Sequence, residues 1–285
     1  MDIKVFLTKI KNIPNINKIY YFLIILLFII IYKNFMFTKF HYIEKFENFE
    51  NKNITIKRNR KIYDDIYVDI YDELLFRNFT NYNDIGIINN INPISKSIIL
   101  EIGCKSGYNV NTISKKCKSF GLDDSVSFIN KARQNYPKLK FDVGNPLIAM
   151  NYSPNYFTHI LSLNNTIYKF KDKKVFFENT MYWLKPGGHL ILNLFDRTQL
   201  NKKVIDLSKT KYNFNYKNYY QIFPNDDTGV MKEIINYKDN IIQNEQDLYI
   251  PTQRKILNIA KDSGFILISS IKNQNQNVYF LKKPN

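Results

Sequence analysis

The stretch SIILEIGCKSG, residues 97–107, decides the fold of this chain. Its first half is a short apolar run rich in β-branched residues, which is typical of a buried strand. Gly103 and Gly107 follow directly, and glycines at such a turn let the backbone approach a ligand closely. Because VNTISKKC then reads as a helix, the stretch predicts the start of an α/β unit.

The same alternation continues along the chain. Further strands are predicted at KSFGLDD, LKFDVGN, THILSLN and HLILNLF, and further helices at VSFINKARQ and KKVFFENTMYWL. Strand–helix alternation at this spacing predicts a doubly wound, mostly parallel α/β sheet. Before it, Ile62, Ile66, Ile70 and Leu74 recur every four residues and predict an amphipathic helix.

Polar residues follow the second and third strands. Asp123 and Asp124 end the second strand, where an acidic side chain can accept hydrogen bonds from both hydroxyls of a ribose. Asn145 ends the third strand, and its amide would suit an adenine edge. A tight turn, Lys185-Pro186-Gly187-Gly188, later leads into a hydrophobic strand.

These motifs, in this order, resemble the class I S-adenosylmethionine-dependent methyltransferases from about residue 62 to the C-terminus. ILEIGCKSG is similar to the glycine-rich E/D-x-G-x-G-x-G turn of that family, and GLDDSVSFINKARQNYP is similar to its second-strand motif. WLKPGGHLIL resembles its approach to the fifth strand, and ILNIAKDSGFILISSI with NVYFLKK resembles its closing helix and last two antiparallel strands. The resemblance implies a seven-stranded Rossmann-like methyltransferase sheet.

The resemblance also implies S-adenosylmethionine as the cofactor and a role for each matching residue. Glu101 would hold the methionyl end, Asp123 would bind the ribose hydroxyls, and Asp124 and Asn145 would lie near the adenine. The turn under the cofactor would be shaped by Gly103, Cys104 and Gly107. The sulfonium would lie beside Leu163 and Asn164. Tyr67 and Tyr71 would cap the pocket.

Three residues depart from the pattern of the family. Lys105 stands where the middle glycine is usual, so it either obstructs the cofactor or pairs with the methionyl carboxylate. Asn145 replaces the usual Asp, and Thr158 replaces an acid common at the start of the fourth strand. These departures leave open a degenerate pocket that is catalytically silent.

No acceptor-site motif is legible after the fourth strand. The segment Ser162–Tyr168 lacks the Asn/Asp-Pro-Pro-aromatic motif used for amino groups of adenine or glutamine. Positioning and desolvation can carry much of a methyl transfer, so a dedicated base is not required and no catalytic residue is assigned. We expect His159, His189, Cys104 and Cys117 to be structural.

The segment 201–250 predicts antiparallel strands inserted on the substrate side of the domain. Its stretch KYNFNYKNYY combines aromatic and basic residues, including Tyr216, Tyr220 and Lys217. The favoured interpretation is a strand with one buried aromatic face. The alternative is a surface that stacks nucleic-acid bases.

The N-terminal part predicts a membrane anchor. After a basic segment, residues 1–18, the residues Ile19–Tyr32 are uninterruptedly apolar or aromatic, and Phe35–Phe37 extend them. With Lys33 snorkelling, residues 19–37 approach the length of a transmembrane helix. The basic residues on the two flanks are nearly balanced, with a slight lean towards an N-terminus in the cytoplasm, so they do not fix the orientation. Residues 38–61 read as a linker, and 62–285 as the methyltransferase domain.

The charge of the chain has two interpretations. The 285 residues carry a formal net charge of +16, but only 6 of the 41 basic residues are Arg, the residue that phosphate recognition favours. Nucleic acid is therefore possible as a partner without being favoured. Two Cys and three His are too few for a zinc module, so no metal is expected.

The sequence therefore predicts a membrane-anchored S-adenosylmethionine-dependent methyltransferase that acts on a small-molecule or lipid-like acceptor. Since that cofactor is cytosolic, we expect the domain to face the cytoplasm, in a host-cell or virion membrane if the source is viral. The alternatives are a non-catalytic binding or structural membrane protein built on a degenerate fold, and an RNA methyltransferase.

Overall fold

The structure is a computed structural model that divides the chain into two compact units, Met1–Asn53 and Ile54–Asn285. It describes residues 23–24, 26–32, 53–71, 87, 91, 95–195, 197, 205–207, 215–223, 225–237, 240–272 and 276–285. In the first unit, residues 23–24 and 26–32 are helical. Among the described residues no helix is both long and apolar enough to span a membrane. The rest of the expected anchor, residues 19–22, 25 and 33–37, lies outside them.

The second unit contains twelve strands and five α-helices among its described residues. The strands are β1 Asn53–Arg58, β2 Ile98–Ile102, β3 Lys118–Asp123, β4 Lys140–Val143, β5 Phe157–Ser162, β6 Leu184–Phe195, β7 Ile205–Leu207, β8 Asn215–Ile222, β9 Thr228–Tyr237, β10 Asn240–Tyr249, β11 Ile266–Lys272 and β12 Gln276–Lys282. The helices are α1 Asp65–Tyr71, α2 Tyr108–Ser114, α3 Val126–Asn135, α4 Lys173–Trp183 and α5 Gln253–Asp262. Short 3-10 helices cover Asn59–Ile62, Ala149–Asn151 and Thr166–Lys169.

Seven strands form the central sheet in the order β11-β12-β6-β5-β2-β3-β4. The pairs from β4 to β6 are parallel, whereas β12 runs antiparallel to both β6 and β11. The order reverses between β2 and β5, because the chain adds β3 and β4 on one side before it adds β5 and β6 on the other. Ligands of open α/β sheets bind at such a switch point, outside the carboxyl ends of the strands.

Both faces of the middle of this sheet are buried, whereas the edge strand β11 is exposed. Leu100 and Ile102 of β2 face a core that includes residues of α4 and α5. Ile99, on the opposite face, packs in a second cluster with Ile113 of α2. Successive residues of β2 therefore face opposite sides of the sheet, and both sides are apolar. For this reason β2 is a continuous apolar run in the sequence.

The antiparallel strands predicted within 201–250 are present as a second sheet with the order β1-β10-β9-β8-β7. Its strands β7 to β10 pair antiparallel with their neighbours. Tyr216 of β8 is buried beneath α1, which fits a buried aromatic face and removes this side chain from any base-stacking surface. Lys211, Tyr212 and Phe214 lie outside the described residues.

Two expectations for the N-terminal side of the domain differ from the structure. Residues 53–58, expected in the linker, form β1 beside β10, a strand that lies far away in the sequence. The helix α1 buries Tyr67, Val68, Ile70 and Tyr71, whereas Ile66 is 50% exposed. The predicted four-residue apolar spacing was therefore wrong at Ile66, because the aromatic residues of α1 provide its buried stripe. Leu74 lies outside the described residues.

Candidate functional site

The turn after β2 depends on two glycines that contact other parts of the protein. Gly103 and Gly107 have φ angles of +77° and +85°. A Cβ at Gly103 would lie 2.4 Å from Thr166 Oγ1, and one at Gly107 would lie 2.6 Å from Phe141 Cζ. Both positions therefore exclude side chains through sterics as well as through φ. Their role is to seat the turn against the 3-10 helix after β5 and against β4.

Lys105, between the two glycines, also has a positive φ of +50°. This left-handed conformation costs a residue with a Cβ about 1–2 kcal/mol. The side chain extends to α1, where Nζ donates to Tyr71 Oη and lies 4.6 Å from the centroid of the Tyr71 ring. The middle position of the turn thus accommodates a lysine, because its side chain occupies the cleft and not the protein core.

Asp123, the last residue of β3, organises the two loops at this edge of the sheet. Its carboxylate is 7% exposed and accepts from the backbone N–H of Lys105 and from that of Ser125, each at 3.0 Å. Burial raises the pKa of Asp123, against the opposing effects of the nearby Lys169 and of these backbone donors. Since each carboxylate oxygen has two lone pairs, both oxygens can accept one further hydrogen bond.

A small cleft opens beside the turn after β2. It is lined by Tyr71, Glu101, Gly103, Cys104, Lys105, Ser106, Tyr108, Asn109 and Asn164. Glu101 is 2% exposed, and its Oε1 accepts from Asn109 Nδ2 at 2.8 Å. The cleft therefore combines a buried acidic group at the end of β2 with the cationic Lys105 of the turn that follows.

Residues 59–71, which we call the strap, bond to each of the three loops that follow β2, β3 and β5. Arg60 Nε donates to Asp124 Oδ2 at 3.2 Å, after β3. Lys169 Nζ, in the 3-10 helix after β5, donates to Tyr63 Oη at 2.5 Å. The contact of Lys105 with Tyr71 is the third. The strap thus crosses the carboxyl edge of the central sheet, where the switch point lies.

Lys169 adds a half-buried positive charge near Asp123. Burial lowers the pKa of Lys169, but the attraction of Tyr63 and of Asp123 outweighs it, so the net pKa is raised. Lys169 therefore stays protonated throughout the physiological range. Its charge stabilises the neighbouring carboxylate of Asp123 in the ionised form.

A polar cluster that the sequence analysis missed lies under α1. Glu233 of β9 is 1% exposed and accepts from Tyr67 Oη at 2.9 Å and from Tyr216 Oη at 2.8 Å. Asn244 Nδ2 donates to the same carboxylate at 3.4 Å. One sequence signal could have revealed the cluster: side chains alternate between the two faces of β9, so Glu233 shares a face with the buried Ile235. This cluster fixes α1, which carries Tyr71, against the antiparallel sheet.

The structure brings only some of the predicted site residues into the cleft. Glu101, Gly103, Cys104, Lys105 and Asn164 line it, and the cleft lining adds Ser106, Tyr108 and Asn109, which the motif did not indicate. Gly107, Asp123, Asp124, Asn145 and Leu163 do not line it. Among these five residues, Asp123 and Asp124 bond to parts of the turn and of the strap, respectively.

Asn145 and Leu163 have local structural contacts. Asn145 Oδ1 accepts from the backbone N–H of Leu147 at 3.0 Å, and Leu163 is 1% exposed within an apolar cluster. Cys104 lines the cleft, but burial raises the pKa of its thiol well above the usual range. Because the thiolate is the nucleophilic form, this burial disfavours a nucleophilic role for Cys104.

The histidines and Thr158 have structural positions. The rings of His159 and His189 stack with centroids 5.5 Å apart on the paired strands β5 and β6. Burial and the neighbouring ring lower the pKa of His159 to about 4. Thr158 Oγ1 accepts from the N–H of Ile98 at 2.9 Å and so joins β5 to β2. Cys117 is buried and, like Cys104, forms no disulfide.

Comparison with known proteins places this fold among methyltransferases. Residues 99–188 match the family model described as "Methyltransferase domain". A methyltransferase from Clostridium acetobutylicum that depends on S-adenosylmethionine superimposes with a TM-score of 0.63 at 16% identity, covering 77% of this chain and 98% of that one. The CcbJ methyltransferase from Streptomyces caelestis gives 0.67 at 12% identity, with 80% and 100% covered. No curated protein sequence matches the chain.

A third similar structure contains the cofactor. CalS10 from Micromonospora echinaspora, an amino pentose methyltransferase bound to S-adenosylmethionine, superimposes with a TM-score of 0.59 at 14% identity, covering 76% of this chain and 97% of that one. The residues of the present site suit the same molecule. Glu101 offers a carboxylate to an ammonium group, and Asp123 keeps acceptor capacity for two hydroxyls. The domain match and the fold together support an enzyme of the S-adenosylmethionine-dependent methyltransferase kind, with S-adenosylmethionine as its cofactor.

Proposed function

We propose that the chain transfers the methyl group of S-adenosylmethionine to a small-molecule or lipid-like acceptor. The observation that carries this proposal is the placement of Glu101 and Asp123. These two buried acids end the neighbouring strands β2 and β3 beside the switch point of the central sheet. Acidic groups so placed suit the ammonium group and the ribose hydroxyls of the cofactor, which lie at different ends of that molecule.

In this proposal Glu101 binds the methionyl ammonium, and Asp123 accepts from the ribose hydroxyls. Asp124 and Asn145 lie on the adenine side, and Leu163 and Asn164 lie beside the sulfur. The turn around Gly103, Cys104 and Gly107 supports the methionyl end. The support for these assignments is their common position at the carboxyl edge of the sheet, and for Glu101, Cys104 and Asn164 also the lining of one cleft.

The bound cofactor supplies an electrophilic methyl group on a sulfonium. The contribution of the chain is to orient that group and to exclude water from it. Tyr71 lines the cleft from the strap, and α1 is fixed from behind by the bonds of Tyr67 to Glu233. Exclusion of water from the cleft by the bound cofactor and acceptor would favour in-line transfer without a dedicated protein base.

The acceptor is proposed to be small. The support is the amino pentose methyltransferase CalS10, whose fold is similar and whose substrate is a sugar. The antiparallel sheet and the strap would border the acceptor, because they stand at the carboxyl edge of the central sheet. A lipid-like acceptor follows only if the anchor proposed below is also present.

The test is calorimetric titration of S-adenosylmethionine and of S-adenosylhomocysteine into the full-length protein. We expect saturable binding of both, with dissociation constants on the order of micromolar, about 8 kcal/mol. Circular dichroism and a cooperative thermal transition establish that the sample is folded. A folded protein that binds neither molecule would overturn the proposed function.

We also propose that residues 19–37 anchor the chain in a membrane, with the domain in the cytoplasm. The support is the apolar run Ile19–Tyr32, together with the high exposure of its described helical side chains, for example 67% for Phe28 and 56% for Leu27. Alkaline carbonate extraction of membranes should leave the protein in the pellet, and deletion of residues 1–37 should release it. Protease digestion of sealed vesicles tests orientation, since protection of residues 62–285 would refute a cytoplasmic domain.

A further inference from the structure

We propose that Lys105 recognises the methionyl carboxylate of the cofactor and makes the site prefer the demethylated product to S-adenosylmethionine. This inference rests on the proposed function, because it concerns the same cleft. It assigns a specificity-determining role to the residue that replaces the middle glycine of the turn.

The first argument is the space around the turn. Side chains at Gly103 and Gly107 would collide with Thr166 and Phe141, respectively, so neither position can present a functional group to a ligand. Lys105 lies between them, and its side chain lines the cleft. Between the two glycines, Cys104, Lys105 and Ser106 all line the cleft, and Lys105 is the cation among these three.

The second argument is the pairing of charges. Glu101 and Lys105 line the same cleft, and they belong to one strand–turn segment. A free amino acid carries an ammonium and a carboxylate on the same carbon, so an acid and a base side by side complement it. Among the side chains that line this cleft, Glu101 and Lys105 are the acid and the base.

The third argument is a contact that Lys105 makes in the structure. Its Nζ donates to Tyr71 Oη, a neutral acceptor on the strap. A carboxylate acceptor adds the attraction of a full negative charge for the ammonium, which a neutral hydroxyl acceptor lacks. A carboxylate in the cleft would therefore compete effectively with Tyr71 for the ammonium. Tyr71 would remain next to the ligand.

The same charge explains the preference for product. S-adenosylmethionine and S-adenosylhomocysteine share the carboxylate, but only the former has a cationic sulfur. Lys105 attracts the carboxylate in both molecules and repels the sulfonium in one. We expect the wild-type protein to bind the product more tightly than the cofactor, by about fivefold to tenfold, which makes the enzyme sensitive to product inhibition.

The experiment measures the binding of three ligands to the full-length protein by calorimetry. They are S-adenosylmethionine, S-adenosylhomocysteine and 5′-methylthioadenosine, and the last lacks the amino-acid end. The variant Lys105→Met removes the charge and keeps the length and the Cβ. The matched control is Lys131→Met, because Lys131 also bonds to α1, through Asp69 Oδ1 at 2.7 Å, but does not line the cleft.

We expect Lys105→Met to weaken product binding by about tenfold, which corresponds to about 1.4 kcal/mol, and cofactor binding by less. Binding of 5′-methylthioadenosine should not change. Lys105→Arg should keep most of the affinity for product, and Lys131→Met should leave all three ligands unaffected. The preference for product over cofactor should shrink in Lys105→Met alone.

Three results would overturn the inference. An equal loss for 5′-methylthioadenosine would show an effect that does not act through the amino-acid end. Unchanged product affinity would show that Lys105 stays on Tyr71, and tighter binding would show that it obstructs the cleft. Each of these results is read against a wild-type protein that binds S-adenosylmethionine or its product. A folded wild type that binds neither S-adenosylmethionine nor its product refutes the proposed function itself, so the two failures are distinguishable.

Discussion

Replacement of Asp123 by alanine tests the proposed ribose site most directly. The carboxylate accepts two backbone hydrogen bonds at 3.0 Å, from Lys105 and from Ser125. Hydrogen bonds to charged groups stabilise by about 1.5–3 kcal/mol each, but removal of a buried charge offsets part of this loss, so the free energy of unfolding should fall by about 2 kcal/mol. For a domain of this size, the midpoint temperature should fall by about 4–8 °C.

The effect of Asp123→Ala on the cofactor is separate. Loss of the bonds to two ribose hydroxyls should weaken the binding of S-adenosylmethionine by about 1.5–3 kcal/mol, or roughly 10-fold to 150-fold. Calorimetry at a temperature well below the midpoint measures this effect on the folded variant. The binding of 5′-methylthioadenosine should weaken equally, because that molecule retains the ribose.

A matched control separates stability from binding. Asp227, like Asp123, accepts from two donors, Arg197 Nη1 at 3.1 Å and Lys255 Nζ, but it does not line the cleft. Asp227→Ala should lower the midpoint temperature and leave cofactor affinity unchanged. If Asp123→Ala is folded and binds both ligands as the wild type does, then Asp123 does not bind the ribose and its role is confined to the turn.

Three further substitutions test the structure around the site. His159 has a folded pKa of about 4 against an ordinary 6.5, so the unfolded chain alone takes up its proton as the pH falls from 6.5 to 4, and stability falls over that window. Between pH 7 and pH 5, the free energy of unfolding measured by urea titration should therefore fall by about 1–2 kcal/mol less in His159→Gln than in the wild type. Equal falls would contradict the lowered pKa of His159. Gly103→Ala should cost about 1–3 kcal/mol more than Gly264→Ala in the same assay, since both positions have positive φ but a Cβ at Gly264 comes only to 3.4 Å from its neighbour. Glu233→Gln should destabilise by about 1–3 kcal/mol, because an amide nitrogen replaces one of the two carboxylate oxygens and cannot accept the hydrogen bonds that this oxygen accepts. An unchanged urea midpoint would refute the buried cluster.

The central sheet could be predicted from the sequence because its signals are local. Each parallel strand is an apolar run of a few residues, and each is followed by turn residues such as Gly103 or by an N-cap such as Ser125. Burial on both faces makes these runs continuous, so they differ clearly from the amphipathic helices between them. The positions of the closing strands β11 and β12 came from resemblance to the methyltransferase family, and the structure confirms their antiparallel pairing.

The rest depended on contacts between distant residues. β1 is too short and polar to be identified alone, and its neighbour β10 lies almost two hundred residues later. The buried face of α1 was predicted from its isoleucines, but the available surface, Phe128 of α3 and Tyr216 of β8, suits the aromatic side of the helix. Ile66 therefore points to solvent although it is more apolar than Tyr67.

The strap links these distant contacts to the site. Its bonds go to Lys105, Asp124 and Lys169, which belong to the loops after β2, β3 and β5, respectively. Two of these residues, Asp124 and Lys105, are proposed to contact the cofactor, so a ligand that engages them competes with the strap for the same groups. Binding and strap attachment then share a coupling free energy, which by thermodynamic reciprocity is the same in both directions. Detachment of the strap should therefore change cofactor affinity by the same factor by which bound cofactor changes the equilibrium of strap attachment.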